Sequence, residues 1–222
     1  MTTPSEEFEI AITQLTEPLN GQLPRPWMSD LTDPMSATLF VVGKNQRNGY
    51  PIERLTHERH LNALFNRAGE TCRGVYDEMT HGVPSPTRDN TDAFSRILRI
   101  AGVTRVLETN VVCYSTPMSA DLRLSRHIGG VSRGTELFQA LIHFIKPRVL
   151  VAHGAGTRAG LTKVLGQALP EIPTEGSPPS VARVRGMSVF VIPSLAPPEW
   201  NKWHAWAEPH LSSVAKAAAS AL

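Results

Sequence analysis

Four apolar runs set the frame of this chain. Ala37–Val42 (ATLFVV), Val103–Val112 (VTRVLETNVV), Arg148–Ala152 (RVLVA) and Ser188–Ile192 (SVFVI) are rich in Val, Leu, Ile and Phe and are bounded by turn residues. Runs of this length and composition mark strands buried on both faces. Between them, apolar residues recur at helical spacing. Leu61, Leu64, Phe65 and Ala68 form one such stripe, closed by Gly69. Phe94, Ile97, Leu98 and Ala101 form a second, opened by Asn90 or Thr91 after a loop at His81–Asn90 and closed by Gly102. Leu137, Leu141, Ile142 and Ile145 form a third, stopped by Pro147. The turn His153–Gly160 (HGAGTRAG) opens a further helix, and the Ala-rich end SSVAKAAASAL reads as a C-terminal one. Strands alternating with helices predict an α/β fold, a three-layer α/β/α arrangement around a four-stranded, mostly parallel sheet. Residues 1–36, rich in Pro, Thr and Asp and without a period, predict an arm lying over the surface with one short helix at Glu6–Leu15. A single domain is expected over residues 37–222.

Composition narrows the classes. With 222 residues, 41% hydrophobic and 19% charged, the chain has the balance of a folded domain rather than a disordered one. No apolar run approaches the roughly 18 residues of a membrane span. The polar, acidic start MTTPSEEFEI is unlike a secretory signal, so a cytoplasmic location is expected. Two cysteines, Cys72 and Cys113, fit reduced thiols and exclude a four-cysteine zinc or iron–sulfur site within one chain. The net charge of +2 permits a nucleic-acid partner without arguing for one. Eight histidines show no metal-ligand spacing, so no metal is expected, and there is no G-x-S-x-G elbow.

In an open parallel sheet, ligands bind beyond the carboxyl ends of the strands. That rule selects the segments GKNQRNGYP, NVVCYSTP, HGAGTRAG and PSLAPP. In the first, the Asn45 amide could hold a water through its carbonyl oxygen, or close an Asx-turn. Asn110 offers a donor and an acceptor, matching the edge of a pyrimidine, or a strand-end hydrogen bond. The glycines of His153–Gly160 suit a phosphate at a helix N-terminus, or a tight strand-to-helix turn. The proline-stiffened Pro193–Pro198 loop suits an apolar wedge into stacked bases, or a rigid cover over the sheet edge. Trp200, Trp203 and Trp206 recur every third residue, as a packing stripe of the last helix or a base-stacking platform.

Taken in order, these segments resemble the uracil-DNA glycosylase superfamily from about Ala37 to Trp200. Gly43-Lys44-Asn45 resembles the family's first motif in its mismatch-specific and single-strand-selective branches, where the Asn positions a water. Asn110 stands where the family places its base-reading Asn, and Pro193-Ser194 stands in the last motif, followed by Leu195. Two positions depart from the pattern: Ile192 replaces the usual His or Asn before the proline, and Gln46 replaces a proline. The resemblance implies a DNA partner and a monomer that flips and excises, or only recognises, a damaged or deaminated base, with no cofactor. It implies Asn45 as the water holder and Gly43, Lys44, Tyr50 and Asn110 as base contacts, Tyr50 by stacking. Arg47, Gly154, Gly156, Pro193 and Ser194 would meet the DNA, with Leu195 filling the gap in the stack. His153 would stand in for the missing motif His. The open alternatives are a member that binds without cleaving and a nucleotide-binding enzyme built on residues 153–160.

Overall fold

The computed structural model describes residues 2–222. They form an α/β fold around a five-stranded, mostly parallel sheet, in the order β2-β1-β3-β5-β4. The strands are β1 (Leu39–Gln46), β2 (Val106–Ser115), β3 (Val149–His153), β4 (Val181–Val184) and β5 (Met187–Ile192). The helices are α1 (Pro4–Leu15), α2 (His57–Leu64), α3 (Cys72–Met79), α4 (Pro86–Ile100), α5 (Gly130–Ile145), α6 (Ala155–Leu165) and α7 (Trp200–Ser220). The fifth strand, β4, is an addition to the sequence-based expectation. It is an antiparallel edge strand joined to β5 by Arg185-Gly186, both at positive φ (50° and 83°), as a two-residue hairpin turn requires.

The chain makes two compact units. One comprises Thr38–Val42, Pro84–Val106 and Pro147–Leu222. Here β3 pairs in parallel with β1 through Leu39–Val42 and with β5 through Ser188–Ile192. The parallel register brings Val42, His153 and Ile192 to one sheet edge. Val149, Leu150, Val151 and Ala152 are fully buried, the burial that their unbroken apolar run predicts. The core of this unit joins Val149, Val151 and Ile192 to Phe94 and Leu98 of α4 and to Trp203, Leu211 and Val214 of α7. Ser85 caps α4 by accepting the Arg88 N–H at 3.2 Å, and Pro86 takes the first helical turn, so the helix starts four residues earlier than Asn90.

The other unit comprises Met1–Ala37, Gly43–Val83 and Leu107–Lys146. Its N-terminal part is not a surface arm. Phe8, Ile12, Leu23 and Trp27 are buried, and Phe8 stacks on Trp27 with ring centroids 6.0 Å apart. Proline and threonine hid this from periodicity, because the buried residues arrive singly between turns. Residues 25–28 run beside β2, with Arg25 N–H donating to Cys113 O and Met28 N–H to Glu108 O. Thr71 caps the helix α3, which was not foreseen, by accepting the Gly74 N–H at 2.9 Å.

Within this unit β2 does not run straight. Thr109 Oγ1 lies 3.6 Å from Cys113 Sγ, although four residues of extended strand would span about 13 Å. The Cys113 thiol also donates to Asn110 O at 3.1 Å, so the strand folds over at Asn110–Val112 in the manner of a bulge. Helix α5 packs into that bend. A Cβ built on Gly134 would stand 2.8 Å from the Cys113 backbone nitrogen and 2.9 Å from Val112 Cγ1. Gly134→Ala therefore forces a methyl group against backbone. We expect it to lower stability by about 1–3 kcal/mol, read as a fall in Tm by circular dichroism; an unchanged Tm would disprove the tight contact.

Candidate functional site

The candidate residues fall in two clusters, and in the first of them Asn45 lies near the carboxyl end of β1. Its side chain is half-exposed and held on both sides. Nδ2 donates to Thr116 Oγ1 at 3.0 Å and to Gln46 O at 3.2 Å, and Oδ1 accepts from Ser119 Oγ at 2.7 Å. The amide is thus oriented by neighbours, with acceptor capacity left on Oδ1 for a second donor such as water. Thr116 and Ser119 were missed as functional partners; the signal was the Ser-Thr-Pro turn at the end of a buried strand. Lys44 and Arg47 are exposed on either side of Asn45, and Gly43 is buried.

Two expected base contacts in this unit need correction. Tyr50 does not offer an open ring for stacking: it is buried against Leu23, Leu55, Ala63, Val75 and Met79. The Arg25 guanidinium covers its ring at 4.6 Å from the centroid, and His60 meets it edge-on at 5.7 Å. Burial raises the Tyr50 phenol above its ordinary pKa. Asn110 does not end β2, which continues five residues further to Ser115. It sits at the bend instead, half-buried, its backbone carbonyl taken by Cys113.

The second cluster joins the ends of β3 and β5. Gly154 has φ +87°, and a Cβ there would meet Ser194 Cβ at 3.1 Å, so both conformation and space demand glycine. Its N–H donates to Ile192 O at 2.9 Å, and α6 starts at the next residue. Pro193 is buried, Ser194 half-exposed and Gly156 exposed. The Trp203 indole N–H donates to Ser194 O at 2.8 Å, which ties this loop to α7. A cleft of about 310 Å³ opens beside it, walled by Gly154, Ala155, Ser194, Lys202, Trp203 and Trp206 among others. Lys202 and Trp206 were not foreseen as site residues; Trp206 belongs to the tryptophan stripe, which reads as packing. Trp203 alone of the three tryptophans is fully buried.

Leu195 cannot act as the wedge. It is fully buried in the core with Ile192 and Trp203, its N–H 3.5 Å from His153 Nδ1 and its carbonyl held by Asn90 Nδ2 at 2.8 Å. The exposed tip of this loop is Pro197-Pro198. Ile192 is likewise fully buried among apolar side chains. A histidine substituted there would enter the core rather than reach a bound base, so Ile192→His is not expected to raise activity. His153, in register beside Ile192, is half-buried at the strand end. Desolvation holds its imidazole down at about 4. Near neutral pH it is an uncharged ring whose Nδ1 accepts from Leu195, and it can offer hydrogen bonds but no positive charge.

Among the described residues, no cluster of three or more His, Cys, Asp or Glu side chains could hold a metal ion. No described helix is long and apolar enough to cross a membrane. Comparison of the chain with models of known protein families finds no match, and comparison with curated proteins finds none either.

Two desolvated imidazoles couple stability to pH. Desolvation holds His60, fully buried and bonded to Pro24 O, down at about 4, as it does His153. Both folded-state values lie below the unfolded 6.5, so their contribution is complete above that pH. It is lost as pH falls from 6.5 toward 4. For His60 the loss approaches roughly 3 kcal/mol at the acid end. His60→Gln is therefore expected to flatten the fall in Tm between pH 7 and pH 4.5; an equal fall in both proteins would refute the linkage.

Proposed function

We propose that this protein binds DNA and acts on a single base as a glycosylase-like N-glycosidic hydrolase, in keeping with its resemblance to the uracil-DNA glycosylase superfamily. The observation that carries the reading is the clamped Asn45 amide. Thr116 and Ser119 fix its orientation near the carboxyl end of a strand, where a parallel sheet presents its ligands. A fixed carbonyl oxygen can hold a water for attack on the sugar carbon as the base departs, without itself taking a proton.

The remaining parts have narrower roles. The cleft beside Gly154 and Ser194 would receive backbone phosphate through the Ser194 hydroxyl and the first N–H groups of α6, with Lys202 exchanging its present partner Glu199, 2.8 Å away, for the phosphate. Lys44 and Arg47 would add backbone charge, and Gly43 and Lys44 would contact the base. His153, being neutral, supplies no positive charge for a departing base. A charge-stabilising donor is typically worth about 10²–10³ in rate, so turnover should be slow. Bases that leave or flip easily, such as hypoxanthine, xanthine or mismatched uracil, should be the better substrates. The same cleft, with the half-buried Trp206 in its wall, favours a second reading as a site for a free nucleotide, the Trp206 indole providing a stacking face.

Three measurements separate these readings. The protein should bind short DNA at low salt, with affinity falling as salt rises. Oligonucleotides carrying each base should show alkali-labile sites, and Asn45→Ala should lower that cleavage by on the order of 10²-fold or more while sparing binding. Cleavage undiminished in Asn45→Ala would remove the water-holding role. Absence of DNA binding at low salt, with a nucleotide retained by the purified protein, would favour the second reading.

A further inference from the structure

The chain between β2 and α5 carries features that neither the core nor the clamped amide explains. It folds as two short 3-10 turns, Ser119–Arg123 and Ser125–His127. Met118 is 65% exposed, Leu124 43% and Ile128 74%, with Val131 at 46% just inside α5. These are four of the nine large apolar side chains exposed among the described residues, gathered in 14 positions. Isolated exposed apolar residues are ordinary on a protein surface, whereas a cluster marks an interaction site.

Charge selects the partner. Arg123 and Arg126 are exposed and form no ion pair among the described residues; Arg126 Nε reaches only the neighbouring His127 ring, at 3.2 Å. The sole acid of the segment, Asp121, already accepts the Met118 N–H at 3.1 Å. Through Ser119 and Asn45 the segment adjoins exposed Lys44 and Arg47. Apolar side chains flanked by unpaired cations fit a nucleic acid, where Met, Leu and Ile pry base steps apart while Arg meets phosphates. A membrane surface would instead call for a longer amphipathic helix. These turns are only five and three residues long.

We propose that residues 117–131 form a DNA-engaging flap. Met118, Leu124 and Ile128 enter the base stack, Arg123 and Arg126 contact phosphates, and Ser119 links seating of the flap to the orientation of Asn45. This rests on the DNA reading above and gives the wedge a place other than Leu195.

The test uses the full chain and a duplex carrying 2-aminopurine, whose fluorescence rises on unstacking. Native protein should bind and raise the fluorescence. Leu124→Ser/Ile128→Ser should bind yet lose the rise, with Tm unchanged because both positions are exposed. Arg123→Gln/Arg126→Gln should reduce the slope of log Kd against log salt by about 2. An apolar variant that binds and unstacks like the native protein, beside a native salt slope in the arginine variant, overturns the flap and leaves the DNA reading standing. Native protein that binds no DNA at low salt overturns both. Binding only to vesicles of anionic lipid overturns the flap in favour of a membrane surface.

Discussion

Val149, Leu150, Val151 and Ala152 have no exposed surface, and parallel partners flank them on both sides. A strand so enclosed has no room for a polar side chain along its length. Its chemistry is confined to where the chain leaves the sheet, at His153 and the glycine that follows. A similar enclosure acts on β5, whose six residues are all buried up to Ile192, with the small Ser188 as its one polar side chain. Ser194 is therefore the first side chain after that strand able to meet solvent.

The same enclosure made much of the fold readable. Unbroken runs of Val, Leu, Ile and Phe announced β1, β3 and β5, and the stripes through Phe94 and Leu98 and through Leu137 and Leu141 announced α4 and α5. What escaped lacked such a signature. Strand β4 has an exposed first residue and one buried residue, so its pattern is that of a loop. Helix α3 carries a glycine and is only eight residues long. Leu23 and Trp27 are isolated apolar residues among prolines, and burial of a lone residue is a tertiary fact that no local period reports.

The candidate site was legible in position and less so in orientation. Position after an apolar run identified Asn45, Gly154 and Ser194, because glycine and amide residues there ask for a reason. It could not distinguish a side chain that points outward from one that folds back. Leu195 and Tyr50 both lie in loops, and both are drawn into apolar cores whose far walls come from distant helices. Asn110 shows a subtler limit: the bend that displaces it depends on Pro26 and Cys113, remote in sequence from the asparagine or hidden behind it.

Two glycines of α5 face β2, and they differ in what opposes them. Gly134 meets backbone nitrogen atoms of Cys113 and Tyr114, which no exchange of side chains can trim. Gly130 meets the ring of Tyr114, whose Cδ1 and Cε1 stand 2.6 Å from a Cβ placed there. As copies of this gene diverge, position 134 is therefore closed to drift, while position 130 can change in company with position 114. Losing the aromatic ring also gives up the Tyr114 hydroxyl, to which Asn20 donates and beside which His127 lies. The permitted double change thus carries a toll at the N-terminal turn and in the segment after β2, and a lineage that takes it inherits a differently held loop.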